Sequence, residues 1–332
     1  MTISPRPRRV RAGAALLSAT LVIGGTLALG AAPAAGADDD VHTQTFLSGP
    51  QTTFTIPADA TSVRLIVAGD QGNTRVLGAT ELGGAGGTAT VDLGTAYNGE
   101  TLNLLVGNPG LLGGAGGSYV ALEDEFLVIA GGGGSGGRVG GVTGTVLPGG
   151  TGGFATSSPD GGDGTNVPGY HHSGTGATGA TPGTTGYTTA QTGGVTNGTT
   201  ATIVDGVITP GIPSYDNTTE GLGGGQGYAG GAGPRDQLLA AAGGLVRAAS
   251  GGGSGYLAAG LDLVSTAPNF NASGESALAY ITITWTTPVA DSEEPGTDEP
   301  GNDEPGNDEP GTDEGAAPSR PQDGIVLPIV AG

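Results

Sequence analysis

The chain has 332 residues, with 31 acidic side chains against 10 basic ones, all arginine, for a formal net charge of −21. A field of that sign repels phosphate backbones and anionic lipid, which excludes nucleic-acid binding. No cysteine is present, so there is no disulfide framework and no thiol chemistry, and the ordering entropy of 71 glycines must be met some other way.

In chain order, the first element is an export signal. Arg6, Arg8, Arg9 and Arg11 precede an apolar run from Ala12 to about Leu29, and Ala35-Gly36-Ala37 supplies a small-residue cleavage site. The expected signal peptide is 1–37, by the general route rather than the twin-arginine one, because bulky apolar residues do not follow the Arg pair. A retained anchor is the competing reading, against which Gly24, Gly25 and Gly30 interrupt the run. Cleavage leaves six arginines facing 31 acids, near −25, and no membrane association is expected afterwards.

A β-domain is expected over 38–287. Thr52 to Pro57 is a short β-prone run ended by proline. In Thr61 to Val67, Val63, Leu65 and Val67 share one face; Ala89, Val91 and Leu93 do so in Thr88 to Leu93, and Leu102, Leu104 and Val106 in Thr101 to Val106. This is the period-2 alternation of half-buried strands. Asn98-Gly99 predicts a turn joining the last two as antiparallel neighbours. Phe126 to Ala130 is uniformly apolar, as a central strand is. Residues 131–274 are rich in Gly and Thr and read as an insertion, in which Asp236 to Ala242 forms one or two helical turns at most. Tyr280 to Trp285 closes the sheet, with Ile281, Ile283 and Trp285 inward.

Beyond it lies an acidic linker, 288–323. Four Glu-Pro-Gly-Thr/Asn-Asp pentads run from Glu294 to Asp313 and have no apolar side chain to bury, so this stretch is expected to be disordered and extended by self-repulsion. Residues 324–332 turn apolar again. Leu327-Pro328-Ile329-Val330 resembles a wall-sorting motif of the LPxTG kind, but lacks its Thr, the following span and the basic tail. Docking as an added strand, or fraying, are the other readings of that end.

The order of motifs carries a resemblance. Phe54 to Ala58, Thr61 to Val63, Gly83 to Gly87, Gly99 to Leu102, Leu104 to Gly107, Leu127 to Gly134 and Ser250 to Tyr256 follow one another, and a C-terminal strand closes the set. This order resembles the glycine-rich domain of bacterial secreted proteins, itself similar to the glycine-rich ectodomain of the anaplastic lymphoma kinase and leukocyte tyrosine kinase receptors. It covers about Thr52 to Trp285. The resemblance implies an all-β fold: an antiparallel β-sandwich, partly jelly-roll-like, with glycine runs threaded as polyglycine-II helices. Such helices have three residues per turn and no internal hydrogen bonds, so their amides pair with neighbours that approach closely only where side chains are absent. The runs here are shorter than the family's, and a Thr-rich stretch interrupts them. No ligand-binding residue is carried over, because the receptors' partners are animal proteins.

Chemistry-bearing groups are few. Asp160, Asp163 and Asn166 put oxygen ligands in a glycine loop of the type Ca²⁺ tolerates, without EF-hand spacing or a closing Glu; an ordinary Asx turn is the rival reading. Asp38 to Asp40 and Glu123 to Glu125 pose the same choice. His171-His172 beside Tyr170 lacks a third metal ligand, and Gly133 to Gly137 fits G-x-S-x-G only through composition. Matches to G-x-G-x-x-G lack the lysine a phosphate loop wants. The expectation is a secreted or cell-surface structural or interaction protein with no catalytic residue and no cofactor beyond that possible Ca²⁺, whose partner is an unknown protein or glycan. The alternative is a carbohydrate-binding or adhesin module, which requires exposed aromatics grouped on one face from among Tyr170, Tyr187, Tyr215, Tyr228 and Tyr256.

Overall fold

Alternating apolar residues give a strand one face to bury, and two such faces make a core. The computed structural model describes residues 39–72, 75–76, 79–80, 83–107, 114–139, 145–166, 173–184, 195–216, 224–233, 236–239, 244–270 and 277–289. Within them, two five-stranded antiparallel sheets form a β-sandwich-like fold, with no helix among the described residues. The strands of the sandwich are β1 (Asp40–Leu47), β2 (Thr52–Thr55), β3 (Ser62–Ala68), β4 (Gly86–Asp92), β5 (Thr101–Leu105), β6 (Ser118–Leu122), β7 (Glu125–Ala130), β8 (Tyr256–Leu257), β9 (Asp262–Asn269) and β10 (Tyr280–Thr287). Sheet one runs β1-β10-β3-β4-β9 and sheet two runs β8-β7-β6-β5-β2.

The core lies between them. Val63, Leu65 and Val67 of β3, Val91 of β4, and Ile281 and Ile283 of β10 meet Leu102, Leu104, Val120 and Val128 of sheet two, all buried. Each such side chain contributes roughly 1.5–3 kcal/mol on leaving water. These are the faces the alternation predicts, and β7 is apolar from Phe126 onward, with Leu127 to Ala130 all buried. Trp285 is only half-buried: it caps the sandwich edge between β1 and β2, with its ring 5.2 Å from those of both His42 and Phe54.

Four features depart from expectation. The Asn98-Gly99 turn exists, with Gly99 at φ 80° and the Asn98 amide donating to the Ala60 carbonyl at 2.6 Å. It carries the chain from sheet one to sheet two, however, so β4 and β5 are not neighbours. Asp236–Leu239 is a strand paired with Gly244–Arg247, whose backbone supplies the partners a helical turn would have found within itself. The span 131–274 also contributes β8 and β9 to the two sheets, so its last part completes the sandwich. Finally, β1, β6 and β9 add strands the sequence did not single out. Strands β1 and β9 are edge strands, and Pro268 on β9 is tolerated there because an edge need not donate on both sides.

At one end of the sandwich the strands run directly into segments rich in glycine and alanine. Strand β3 continues as 69–72 and β7 as 131–136, while 83–85, 114–117, 248–255 and 277–279 lead into β4, β6, β8 and β10. At this boundary the Ser118 hydroxyl donates to the Ala68 carbonyl at 2.7 Å and accepts from the Gly107 amide at 3.2 Å, tying the two sheets together.

Candidate functional site

The glycine segments form a hydrogen-bonded array with a threefold rule. The amides of Gly131, Gly132, Gly133 and Gly134 donate to the carbonyls of Gly153, Gln226, Asp70 and Gly150 at 3.3, 2.7, 3.0 and 2.8 Å. Their carbonyls accept in turn from Gly87, Gly253, Ala115 and Gly84 at 2.8, 3.0, 3.1 and 2.8 Å. Residues three apart return to the same neighbour, so one segment touches six others, where a β-strand would pair with two. The rule repeats along Ser250 to Ser254. There Ser250 and Gly253 donate to Ser135 and Gly132, while Gly251 and Ser254 donate to Ala232 and Ala229.

Such proximity leaves no room for side chains. A Cβ at Gly131 would run into the Gly253 carbonyl, one at Gly133 into the Gly84 carbonyl and one at Gly252 into the Thr151 carbonyl. Non-glycine residues occur where a side chain finds space or a partner. Ser135 and Ser250, both buried, hydrogen-bond through their hydroxyls.

Asp70 is the exception. Its backbone belongs to the array, donating to Gly116 and accepting from Gly133, but its side chain is fully buried with neither carboxylate oxygen partnered. Of the segments bonded to it or to its neighbours, 83–87, 114–117, 131–134 and 277–279 hold only Gly, Ala and Leu, and β9 brings the neutral Asn269, which donates to the Gly69 carbonyl at 2.7 Å, so none of these groups offers a countercharge. Burial pushes its pKa up to about 7.

The residues expected to hold Ca²⁺ serve as loop fasteners. Asp160 accepts from the Gly179 amide at 2.9 Å and from Ser158 Oγ at 3.2 Å, Asp163 from the Gly176 amide at 2.8 Å, and Asn166 from Ser173 N and Oγ at 3.1 and 2.6 Å. Each side chain thus serves a different amide along 173–179. No group of three His, Cys, Asp or Glu is placed to hold a metal ion among the described residues. Glu123, at φ 50°, and Asp124 turn the chain between β6 and β7, and Asp124 accepts from the Gly206 amide. Tyr170, His171, His172, Tyr187, the acidic pentads and the apolar C-terminus lie outside the described residues, as do residues 1–38. Tyr228 and Tyr256 do come together, with ring centroids 4.8 Å apart. They pack with Phe126 against Tyr119, Ala201 and Ile208 as a second core beneath the hairpin Thr202–Val204/Val207–Thr209.

That hairpin covers part of the outer face of sheet two, held by Gln51, which bonds Gly206 and Ile208. The outer face of sheet one is a field of hydroxyls. Strand register aligns Thr45, Thr282, Ile66, Thr90 and Ser265 in one row and Thr43, Thr284, Arg64, Asp92 and Asp262 in the next. Thr43 bonds Thr284 at 3.3 Å and Thr45 bonds Thr282 at 3.0 Å, while Thr61 and Ser62 both reach Thr286, at 2.6 and 2.7 Å. Arg64 grips Asp92 with two parallel bonds, Nε to Oδ1 at 2.7 Å and Nη2 to Oδ2 at 3.0 Å. Those hydrogen bonds hold the Asp92 carboxyl below its usual range. A shallow groove of about 520 Å³ opens beside this pair, lined chiefly by Thr61, Ser62, Arg64, Asp92, Thr95 and Thr284. Sequence reasoning missed this site. Its only signal was Thr and Asp on the polar side of the alternation in Thr88 to Leu93.

No protein-family model matches the chain, and no curated protein matches its sequence.

Proposed function

We propose that this is an exported, non-catalytic display module of the cell surface. A jelly-roll-like sandwich is stiffened at one end by polyglycine-II helices. The observation that carries the reading is the change of partner at each residue from Gly131 to Gly134, with return after three. Polyglycine-II geometry requires that pattern, since its amides point outward at three residues per turn. A flexible glycine linker would have no fixed partners at all. Rigidity also gives the glycines a purpose: the entropy lost in ordering them is offset by hydrogen bonds to as many as six neighbouring segments.

Amide hydrogen exchange of the purified protein tests this directly. Protection at Gly131–Gly134 and Gly251–Gly253 should match that of the buried strands β3 and β10. Exchange at those glycines near the rate of an unstructured peptide would overturn the reading and leave a small sandwich with a flexible insertion.

A further inference from the structure

We propose that the outer face of sheet one binds a neutral, polyhydroxylated glycan chain, anchored at the Arg64–Asp92 pair. This names what the display module presents, and it rests on that reading only for the rigidity of the face.

The chemistry of the groove selects the ligand. Adjacent sugar hydroxyls need a donor and an acceptor held side by side, and the Arg64–Asp92 fork supplies both in one fixed plane. Two of the guanidinium's five N–H groups are used on Asp92, so three donors remain, and each carboxylate oxygen keeps further accepting capacity. The two side chains are 52% and 41% exposed, so these groups are open to a ligand. Thr95 adds a hydroxyl, and those of Thr61, Ser62 and Thr284, already bonded to Thr286 and Thr43, keep further accepting capacity.

Charge decides between glycan classes. Asp92 already neutralises the arginine lining the groove, and the chain as a whole carries −21. A uronate or phosphate polymer would meet a repulsive field with no free cation in the groove to offset it. An uncharged chain pays no such penalty. The hydroxyl rows extend the site beyond the groove: five strands about 4.8 Å apart span roughly 20 Å, room for several linked sugar rings. Hydrogen bonding without aromatic stacking implies modest affinity at each site, suited to repeated contact along a polymer.

The test uses cellohexaose, chitohexaose and maltohexaose as neutral probes and hexagalacturonate as the anionic one. Binding is read by amide chemical shifts and by calorimetry. At least one neutral hexaose should shift the amides of Arg64, Asp92, Thr95 and Thr284, and hexagalacturonate should not. Arg64→Ala and Asp92→Ala should each weaken binding at least about tenfold, the effect of losing a charge-assisted hydrogen bond. Both side chains are exposed, so unchanged Trp285 fluorescence will confirm that the variants fold. Silence from all three neutral hexaoses, or binding that neither substitution weakens, overturns the inference. Hydrogen exchange separates it from the display reading: a protected array without glycan binding removes only the ligand, whereas binding with an unprotected array removes only the lattice.

Discussion

Asp70 makes stability depend on pH in an unusual direction. Most carboxylates that matter to a fold are paired, so acid weakens the protein. Here burial raises the pKa from 3.8 to about 7, outweighing the lowering effect of the Gln71 backbone amide, so the folded state holds a proton that the unfolded state releases. Below pH 3.8 both states are protonated and the residue contributes no pH dependence. As pH rises from there to about 7 the unfolded state is increasingly favoured, and above 7 the full penalty persists, at most about 4 kcal/mol. Asp70→Asn cannot ionise. The variant should therefore gain thermal stability over the parent at pH 8, and the gain should shrink or reverse at pH 4. Paired melting curves at the two pH values cancel every other carboxylate, and an equal difference at both would show that Asp70 is not buried as a lone acid.

Among the elements, the glycines divide by what surrounds them. Gly133 has the Gly84 carbonyl where a Cβ would sit, and backbone has no rotamer to move aside. Gly260 has open space around it and a φ of 89°, so alanine there costs strain alone. Gly133→Ala should lose at least about 3 kcal/mol through overpacking and broken amide pairs. Gly260→Ala should lose about 1–2 kcal/mol. Urea denaturation of both variants measures the gap, and equal losses would mean that the close approach at Gly133 does not exist in solution. The same contrast explains what the sequence could announce. Val63, Leu65 and Val67 alternate because one side of β3 meets the core, and that alternation is legible. Strands β1 and β9 lie at edges and leave Val41, Leu263 and Val264 exposed, so no burial pattern marks them. The partnership of Gly131 with Gly153 is illegible for a deeper reason: without side chains, nothing in a glycine run encodes its register. Arg64 and Asp92 are 28 positions apart and become a pair only through the β3–β4 register.

For the whole folded unit, the question is whether sandwich and array unfold together. No linker separates them. Segment 69–72 continues β3 and 83–85 precedes β4, and the Gly69 amide donates to Gly87 at 2.8 Å, carrying the contact between these strands into the array. Segments 114–117, 131–136 and 248–255 extend sheet two in the same way, while Ser118 bridges the sheets at the boundary. Segments 69–72, 83–85, 114–117, 131–136 and 248–255 therefore have their positions set by strands, and their amides are paired within the array. One cooperative transition follows, although chains of this length often unfold in stages. Trp285 is the single tryptophan, and it sits five residues along β10 from Tyr280, roughly 17 Å beyond the strand's glycine-facing end. Gly133→Ala alters the array alone. If the two parts are one unit, it should lower the urea midpoint of Trp285 fluorescence as much as it lowers the midpoint for loss of exchange protection at Gly251–Gly253. If they are separate, the glycine amides will lose protection while the Trp285 midpoint stays at the parent value, and the array would then be an appendage that the sandwich carries without depending on it.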